Sequence, residues 1–282
     1  MSDAAISAPH PSAGGIPAPP KRSASAMAFD TLLWGGVILL LIVSFKPAEI
    51  DKFPQLFTDT ERTSAFAKLF FKPFTDPKLF MSMEWGLFIG KMWQTIQMAL
   101  WGTALAIVAA IPLGLLGARN IAPVWIQQPV RRLLDLIRSI PDLVVALIFI
   151  TAVGLGPFAG VMSIMFNTGG VLAKLFAEAV ESIDKAPVEG VRATGAVKLQ
   201  EIVWGVIPQV APLWTSYALY RFESSARAAT VLGIIGAGGI GQILFDSINA
   251  FQFDQTGCIV LVIVVAVSII DLLSQVIRTR LL

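Results

Sequence analysis

The chain has 282 residues, 55% of them hydrophobic and only 14% charged, with a mean hydropathy of +0.74 and a formal charge of +2. Soluble domains carry roughly 25% charged residues, so these numbers exclude an ordinary soluble domain and place most of the chain in lipid. A single Cys (Cys258) and a single His (His10) exclude a disulfide framework and His/Cys metal sites, and no clustered basic face suggests nucleic acid.

Residues 1–26 read as a disordered cytoplasmic tail, since Pro9, Pro11, Pro17, Pro19 and Pro20 among Ala, Ser and Gly cannot build a core. Lys21 and Arg22 precede an apolar run over 27–45, which could open a secretory signal. The only small-residue cleavage pattern, Ala24-Ser25-Ala26, lies before that run, so 27–45 is expected to be an uncleaved first span. Residues 46–86 carry six basic and six acidic residues and read as an extracytoplasmic loop.

Met92 to Ala118 holds no charge, enough for a crossing of about 20 apolar residues. Leu143 to Ala173 is also uncharged, and Gly154-Leu155-Gly156-Pro157 divides it into a hairpin of two short spans. Ile202–Tyr220 and Gln255 to about Val276 complete six expected crossings. Lys and Arg concentrate in the tail, the 119–138 loop, the 174–201 segment and the C-terminal end, which puts both termini inside. The fold class expected is an all-α polytopic membrane protein with about six transmembrane helices.

Segment 174–208 is long, amphipathic and charged. Pro187 and Glu189 suit a first helical turn, and Gly195 interrupts a pattern that resumes until Pro208. Two short helices meeting at a glycine are expected; an ordinary surface helix is the plainer reading. Further on, Arg221, Glu223 and Arg227 follow a span that starts near Pro208, which puts Arg221 about 20 Å above the cytoplasmic surface at 1.5 Å per residue. Ionisable groups at that depth face a cavity or a partner. Glu223 and Arg227 have pairing spacing, leaving Arg221 as a guanidinium for an anion; a structural ion pair with an interfacial anchor is the alternative. Asn167, alone in its span, either bonds across helices or lines the path. Gly236, Gly238, Gly239 and Gly241 satisfy G-x-G-x-x-G, but between lipid-like runs they read as a helix break, a gate or dimer seam rather than a dinucleotide site. Gly86/Gly90 and Gly156/Gly160 read as close-packing pairs. No G-x-x-x-x-G-K-[ST] and no G-x-S-x-G occurs, so neither ATP nor hydrolase chemistry is expected on this chain.

Glu189-Gly190-Val191-Arg192-Ala193-Thr194-Gly195, with Ile207-Pro208 thirteen residues after Thr194, resembles the EAA loop of ABC importer permeases. Two alanines and one Ile of that pattern are replaced here. Gln128-Pro129-Val130-Arg131-Arg132, Gly154-Leu155-Gly156-Pro157, Tyr220-Arg221-Phe222-Glu223 and the glycine run add to a likeness with the phosphonate (PhnE-type) branch from about residue 27 onward. The resemblance implies a type I ABC importer (MetI-like) permease fold in the bacterial inner membrane, working as a homodimer over two ATPase subunits and fed by an extracytoplasmic phosphonate-binding protein. It implies that ATP and Mg sit on the partner ATPase, with no cofactor on this chain. It implies an ATPase-coupling loop over 177–208 carried by Glu189, Gly190, Arg192, Ala193, Gly195 and Pro208. It also leaves phosphite, phosphate or another small anion as alternative cargo. A secondary transporter is the reading from another class, with Glu223 as its one candidate coupling acid.

Overall fold

A computed structural model describes residues 24–50, 54 and 60–281. The chain forms two units, residues 1–64 and 65–282. In the first, α1 (Ala24–Phe45) is long and apolar enough to cross a bilayer. The helix begins three residues before the expected start; the rest of the tail, 1–23, lies outside the described residues.

The stretch 46–86, expected as an extracytoplasmic loop, contains helices: α2 (Thr60–Thr75), most of it in the second unit, α3 (Pro77–Ser82) and the start of α4 (Trp85–Gly117). Balanced charge hid the helices, yet Phe66, Phe70 and Phe74 recur every four residues and form an aromatic edge. The Phe66 ring lies 5.1 Å from Phe253 at the start of the last helix, and the aromatic row runs on through Phe80 to Trp85, 4.6 Å apart. Asp76 caps α3, its Oδ1 accepting from Lys78 N–H at 3.0 Å.

The centre of the unit is α4 packed parallel to α7 (Pro157–Glu181) along a seam of Ala and Gly, Met98 meeting Gly160 at one end and Gly117 meeting Ala177 at the other. Without water to squeeze out, helices in lipid associate by close backbone approach, which small residues permit. A Cβ on Gly102 would stand 2.6 Å from Ile164 Cγ2, and one on Gly114 would stand 2.7 Å from Phe176 Cβ. Gly102→Val is therefore expected to lower stability by about 1–3 kcal/mol through overpacking, read as a lower unfolding midpoint of the detergent-purified protein. An unchanged midpoint would mean that the seam can open. The packing pairs expected from sequence are placed differently. A Cβ at Gly86, Gly90 or Gly156 meets nothing, and only Gly160 is close-packed, against Met98 and Ala237.

Four helices are long and apolar enough to cross (α1, α4, α7 and α11, Phe253–Leu281), and two bent pairs raise the number to six. One pair is α5 (Val124–Ser139) with α6 (Asp142–Val153), bent by 90°. With 12 residues, α6 is about 18 Å long and does not cross by itself. The hairpin turn is where the sequence indicated, with Gly154 and Gly156 at φ +91° and +141°. The other pair runs from Lys198 to Ala237 and continues, after a 58° bend, as α10 (Ile240–Asn249). Its long member contains a π-helical turn (Glu201–Val206) and α9 (Ile207–Leu232), twelve residues beyond the expected end at Tyr220. The charged island thus lies within a continuous helix.

The bend falls at the glycine run. Gly236, Gly238 and Gly239 have φ of +97°, +82° and +75°, a region that only glycine enters freely. The freed backbone groups find protein partners: Gly239 N–H donates to Gln94 Oε1 (3.2 Å), Ile240 N–H to Thr95 Oγ1 (2.8 Å), and Gly156 N–H to the Gly236 carbonyl (3.1 Å). Gly241 differs, being helical and needed for closeness; a Cβ there would collide with the Thr230 carbonyl oxygen.

Candidate functional site

On a helix each residue advances about 100°, so Arg221, Ser224, Ser225, Ala228 and Leu232 share one face of α9. That face forms one wall of a cavity of about 210 Å³. The second wall is Ser163, Asn167 and Thr168 of α7; the third is Asp142 in the first turn of α6. Arg221 donates through a terminal nitrogen to Thr168 Oγ1 (3.3 Å), and Thr168 in turn bonds the Ser225 hydroxyl (3.2 Å). Its Nε is buried with no protein partner. Among the described residues no carboxylate lies within 4.0 Å of the guanidinium. A cation, four hydroxyls and an amide inside an apolar protein form a donor-rich chamber suited to a small oxyanion. Asn167 joins both readings of it: it lines the cavity and donates to the Ile140 carbonyl at 3.5 Å.

Glu223 and Arg227 were expected beside Arg221 on the pathway. They stand about 200–240° around α9 from it and do not line this cavity. The expected i, i+4 pair is present, Arg227 donating to Glu223 at 2.5 Å. Two partners on α11 were not legible: Asp271 accepts both hydrogen bonds of Arg227 Nη1 (3.0 and 3.1 Å), and Arg278 donates to Glu223 (3.3 Å). Two acids and two arginines make this network neutral, and Arg221 takes no part in it. Asp271 and Arg278 share a helix face at i, i+7, but nothing in sequence ties them to residues half a hundred positions earlier.

The segment expected to couple to the ATPase forms as two helices meeting at a glycine. α8 (Lys185–Ala193) is capped by Asp184, whose Oδ1 accepts from Ala186 N–H at 3.0 Å. Gly195 follows with φ +83°, and the chain turns into Lys198–Gln200 and the π-helical turn. Four details are set by tertiary contacts. Arg192 is not a free charge: it grips Glu201 with two bonds, Nε to Oε1 at 2.8 Å and Nη2 to Oε2 at 3.0 Å. Glu201 is only 5% exposed, and Lys198 Nζ also approaches its Oε2, at 3.5 Å. Close approach is provided by Gly205, where a Cβ would be 3.1 Å from Val188 Cα, while Gly195 is required by its backbone angle. Pro208 does not separate surface helix from span, because the wide turn ends with Ile207 N–H on the Ile202 carbonyl and so absorbs the missing donor without a break. Gln209, to which the sequence assigned no role, joins the two pieces: its amide donates to the Gly205 carbonyl (2.6 Å) and the Asp184 carbonyl (3.2 Å) and accepts from Asp184 N–H (3.2 Å). Glu189, Gly190 and Ala193 stay on the exposed side.

The hydrogen bonds from Arg192 hold the Glu201 carboxyl below the usual carboxylate range, despite the opposing effect of burial. A depressed acid contributes its stability above the unfolded value, about 4.3 for Glu, and loses it as pH falls through the lower folded value. Amide exchange protection of 185–206 is therefore expected to stay level from neutral pH down through pH about 5. Loss of protection already between those values would show that the pair does not hold the segment.

A protein-family profile described as a binding-protein-dependent transport system inner membrane component matches residues 110–281. The chain belongs to this family. It is an inner-membrane transport component, and the match spans the cavity, the two-helix segment at 185–206 and the glycine bend alike. The phosphite transport system permease protein PtxC of Stutzerimonas stutzeri is 42% identical over 185 residues, 65% of this chain and 67% of that protein. A putative cryptic phosphonate transport system permease protein of Escherichia coli strain K12 is 56% identical over 117 residues, 42% of this chain and 96% of that one. The phosphate-import permease protein PhnE of Mycolicibacterium smegmatis is 42% identical over 189 residues, and the match spans only 36% of its length. Among solved structures, the inward-facing MetNI methionine ABC transporter superposes with a TM-score of 0.62 at 22% identity, covering 71% of this permease and 98% of that chain. A bacterial ABC transporter involved in import of the acidic polysaccharide alginate superposes at 0.59 with 15% identity over 90% of this chain and 97% of that one. At such identities the likeness is one of fold, that of MetI-like importer permeases.

Proposed function

We propose that this permease carries phosphonate anions across the inner membrane, as a homodimer over two copies of an ATPase and supplied by an extracytoplasmic phosphonate-binding protein. ATP and Mg belong to the ATPase, and this chain contributes the path. The observation that carries the reading is Arg221, a guanidinium with no ion pair within 4.0 Å among the described residues and a buried, unpartnered Nε, in a polar cavity between α6, α7 and α9. Phosphite or phosphate is a second reading, favoured by the names of two relatives and by a cavity chemistry that addresses P–O groups rather than the organic substituent. Coupling would run through the exposed Glu189–Gly190–Ala193 side of α8 docked on the ATPase. Gln209 and the Arg192–Glu201 pair then make α8 and the base of α9 move together, and the same helix carries the cavity wall. Gly236, Gly238 and Gly239 would act as the gate, their bend turning that movement into a change of path.

Reconstitution with the ATPase and binding protein in liposomes tests the reading through ATP-dependent uptake of methylphosphonate. Uptake of phosphite or phosphate alone would favour the second reading, and uptake of none would remove both. For the coupling face, Glu189→Lys is expected to reduce co-purification of the ATPase while membrane insertion is unchanged. Full co-purification would place the docking contact elsewhere.

A further inference from the structure

The cavity that holds Arg221 has one feature that a plain anion site lacks, an acid. Asp142 lines the same chamber, yet no Arg221–Asp142 ion pair closes within 4.0 Å among the described residues. The placement is held by two bonds from α7. Ser163 Oγ donates to the Asp142 carbonyl at 3.2 Å and Asn167 Nδ2 to the Ile140 carbonyl at 3.5 Å, so α7 fixes the start of α6 through two cross-helix bonds. The other charged or titratable groups within electrostatic reach of the guanidinium are Arg138, on the preceding helix, and Tyr220, beside it on α9. The α7 wall contributes only neutral Ser163, Asn167 and Thr168.

A carboxylate offers acceptors only. An oxyanion whose oxygens are all ionised or doubly bonded would meet it acceptor to acceptor. An oxyanion that keeps one hydroxyl can donate that hydrogen to the carboxylate while its remaining oxygens accept from the guanidinium and the hydroxyls. At about 210 Å³, against the roughly 10–15 Å³ that one water needs, the chamber has room for such a bridge. We propose that Asp142 is a specificity residue that selects singly protonated phosphorus oxyanions, accepting the P–OH hydrogen, and rejects fully ionised tetrahedral anions such as sulfate. This deepens the phosphorus-oxyanion reading of the Arg221 cavity and rests on it.

The test is direct binding to the detergent-solubilised permease–ATPase complex without binding protein, so that no other selectivity filter intervenes. Phosphorus NMR line broadening of methylphosphonate is followed at pH values below and above its second ionisation, with sulfate as competitor. The wild type is expected to bind the monoanion about 10- to 100-fold more tightly than the dianion, the worth of a buried group left without its hydrogen-bond partner, and to ignore sulfate. Asp142→Asn, whose amide can donate to an ionised oxygen, is expected to bind both forms alike and to admit sulfate; Asp142→Glu is expected to restore the preference. Arg221→Gln is expected to abolish broadening at both pH values. If Asp142→Asn keeps the wild-type pH profile and sulfate exclusion while Arg221→Gln is silent, Asp142 is only a helix N-terminal acid and the inference alone falls. If Arg221→Gln binds as the wild type does, or the wild type binds neither form, the cavity reading falls with it. The wild-type comparison of methylphosphonate with sulfate needs no variant, and equal binding of the two would overturn the inference by itself.

Discussion

Arg221→Gln in the assembled transporter is expected to lower methylphosphonate uptake by about 10- to 100-fold, the worth of one charge-assisted hydrogen bond. The complex itself should assemble normally. The guanidinium makes one described protein hydrogen bond, to Thr168, so little of the fold rests on it. Glutamine keeps a donor and much of the stem, and it removes the charge and the planar fork that match phosphoryl oxygens. The neighbouring Arg227→Gln provides the contrast, because Arg227 is bound to Glu223 and Asp271 in the neutral network. There the loss should appear as weakened packing of α9 on α11, read as a lower unfolding midpoint with a less selective effect on uptake. If Arg221→Gln transports like the wild type, Arg221 is an anchor and the anion path runs elsewhere.

Arg192→Ala is expected to uncouple transport from ATP hydrolysis. Glu201 is nearly fully covered, and removing its bidentate partner leaves only the more distant Lys198, so the contact between α8 and the π-helical turn should loosen. Uptake should fall to a small fraction while ATP hydrolysis by the complex continues. The exchanged pair, Arg192→Glu with Glu201→Arg, is expected to recover part of the coupling, since it restores the bond in reverse. A loss of ATPase binding in Arg192→Ala, with no recovery in the exchanged pair, would mean that Arg192 meets the ATPase directly, as its place in the EAA-like motif first suggested.

The difference between those two outcomes marks where the sequence stops being informative about the site. Arg192 and Glu201 are nine residues apart, a spacing that matches no helical or strand repeat, and they meet because Gly195 turns the chain back on itself. The role of Gln209 was hidden for a similar reason, since it appears only when Asp184 arrives beside the amide. The Arg221 wall could have been found. Arg221, Ser224, Ser225, Ala228 and Leu232 follow helical spacing, and extending the span past Tyr220 would have shown them on one face. The charges stopped that extension, because a segment with three ionisable residues does not look like a membrane helix until their partners are known. Asp142, at the start of an apolar run, carried no signal of its own.

The sequence by itself determined the membrane class, the helix breaks at Gly154–Pro157 and Gly236–Gly239, the two helices that meet at Gly195 and the family. These depend on composition and on local backbone rules, which act over a few residues and can be read without a fold. Only the tertiary structure decided which charges are compensated. In a low-dielectric interior the meaning of a charge depends on what stands within a few ångströms of it, and here those neighbours come from α6, α7 and α11. Packing therefore turned Glu223 and Arg227 into half of a neutral network, and it left Arg221 facing a chamber with Asp142 across it.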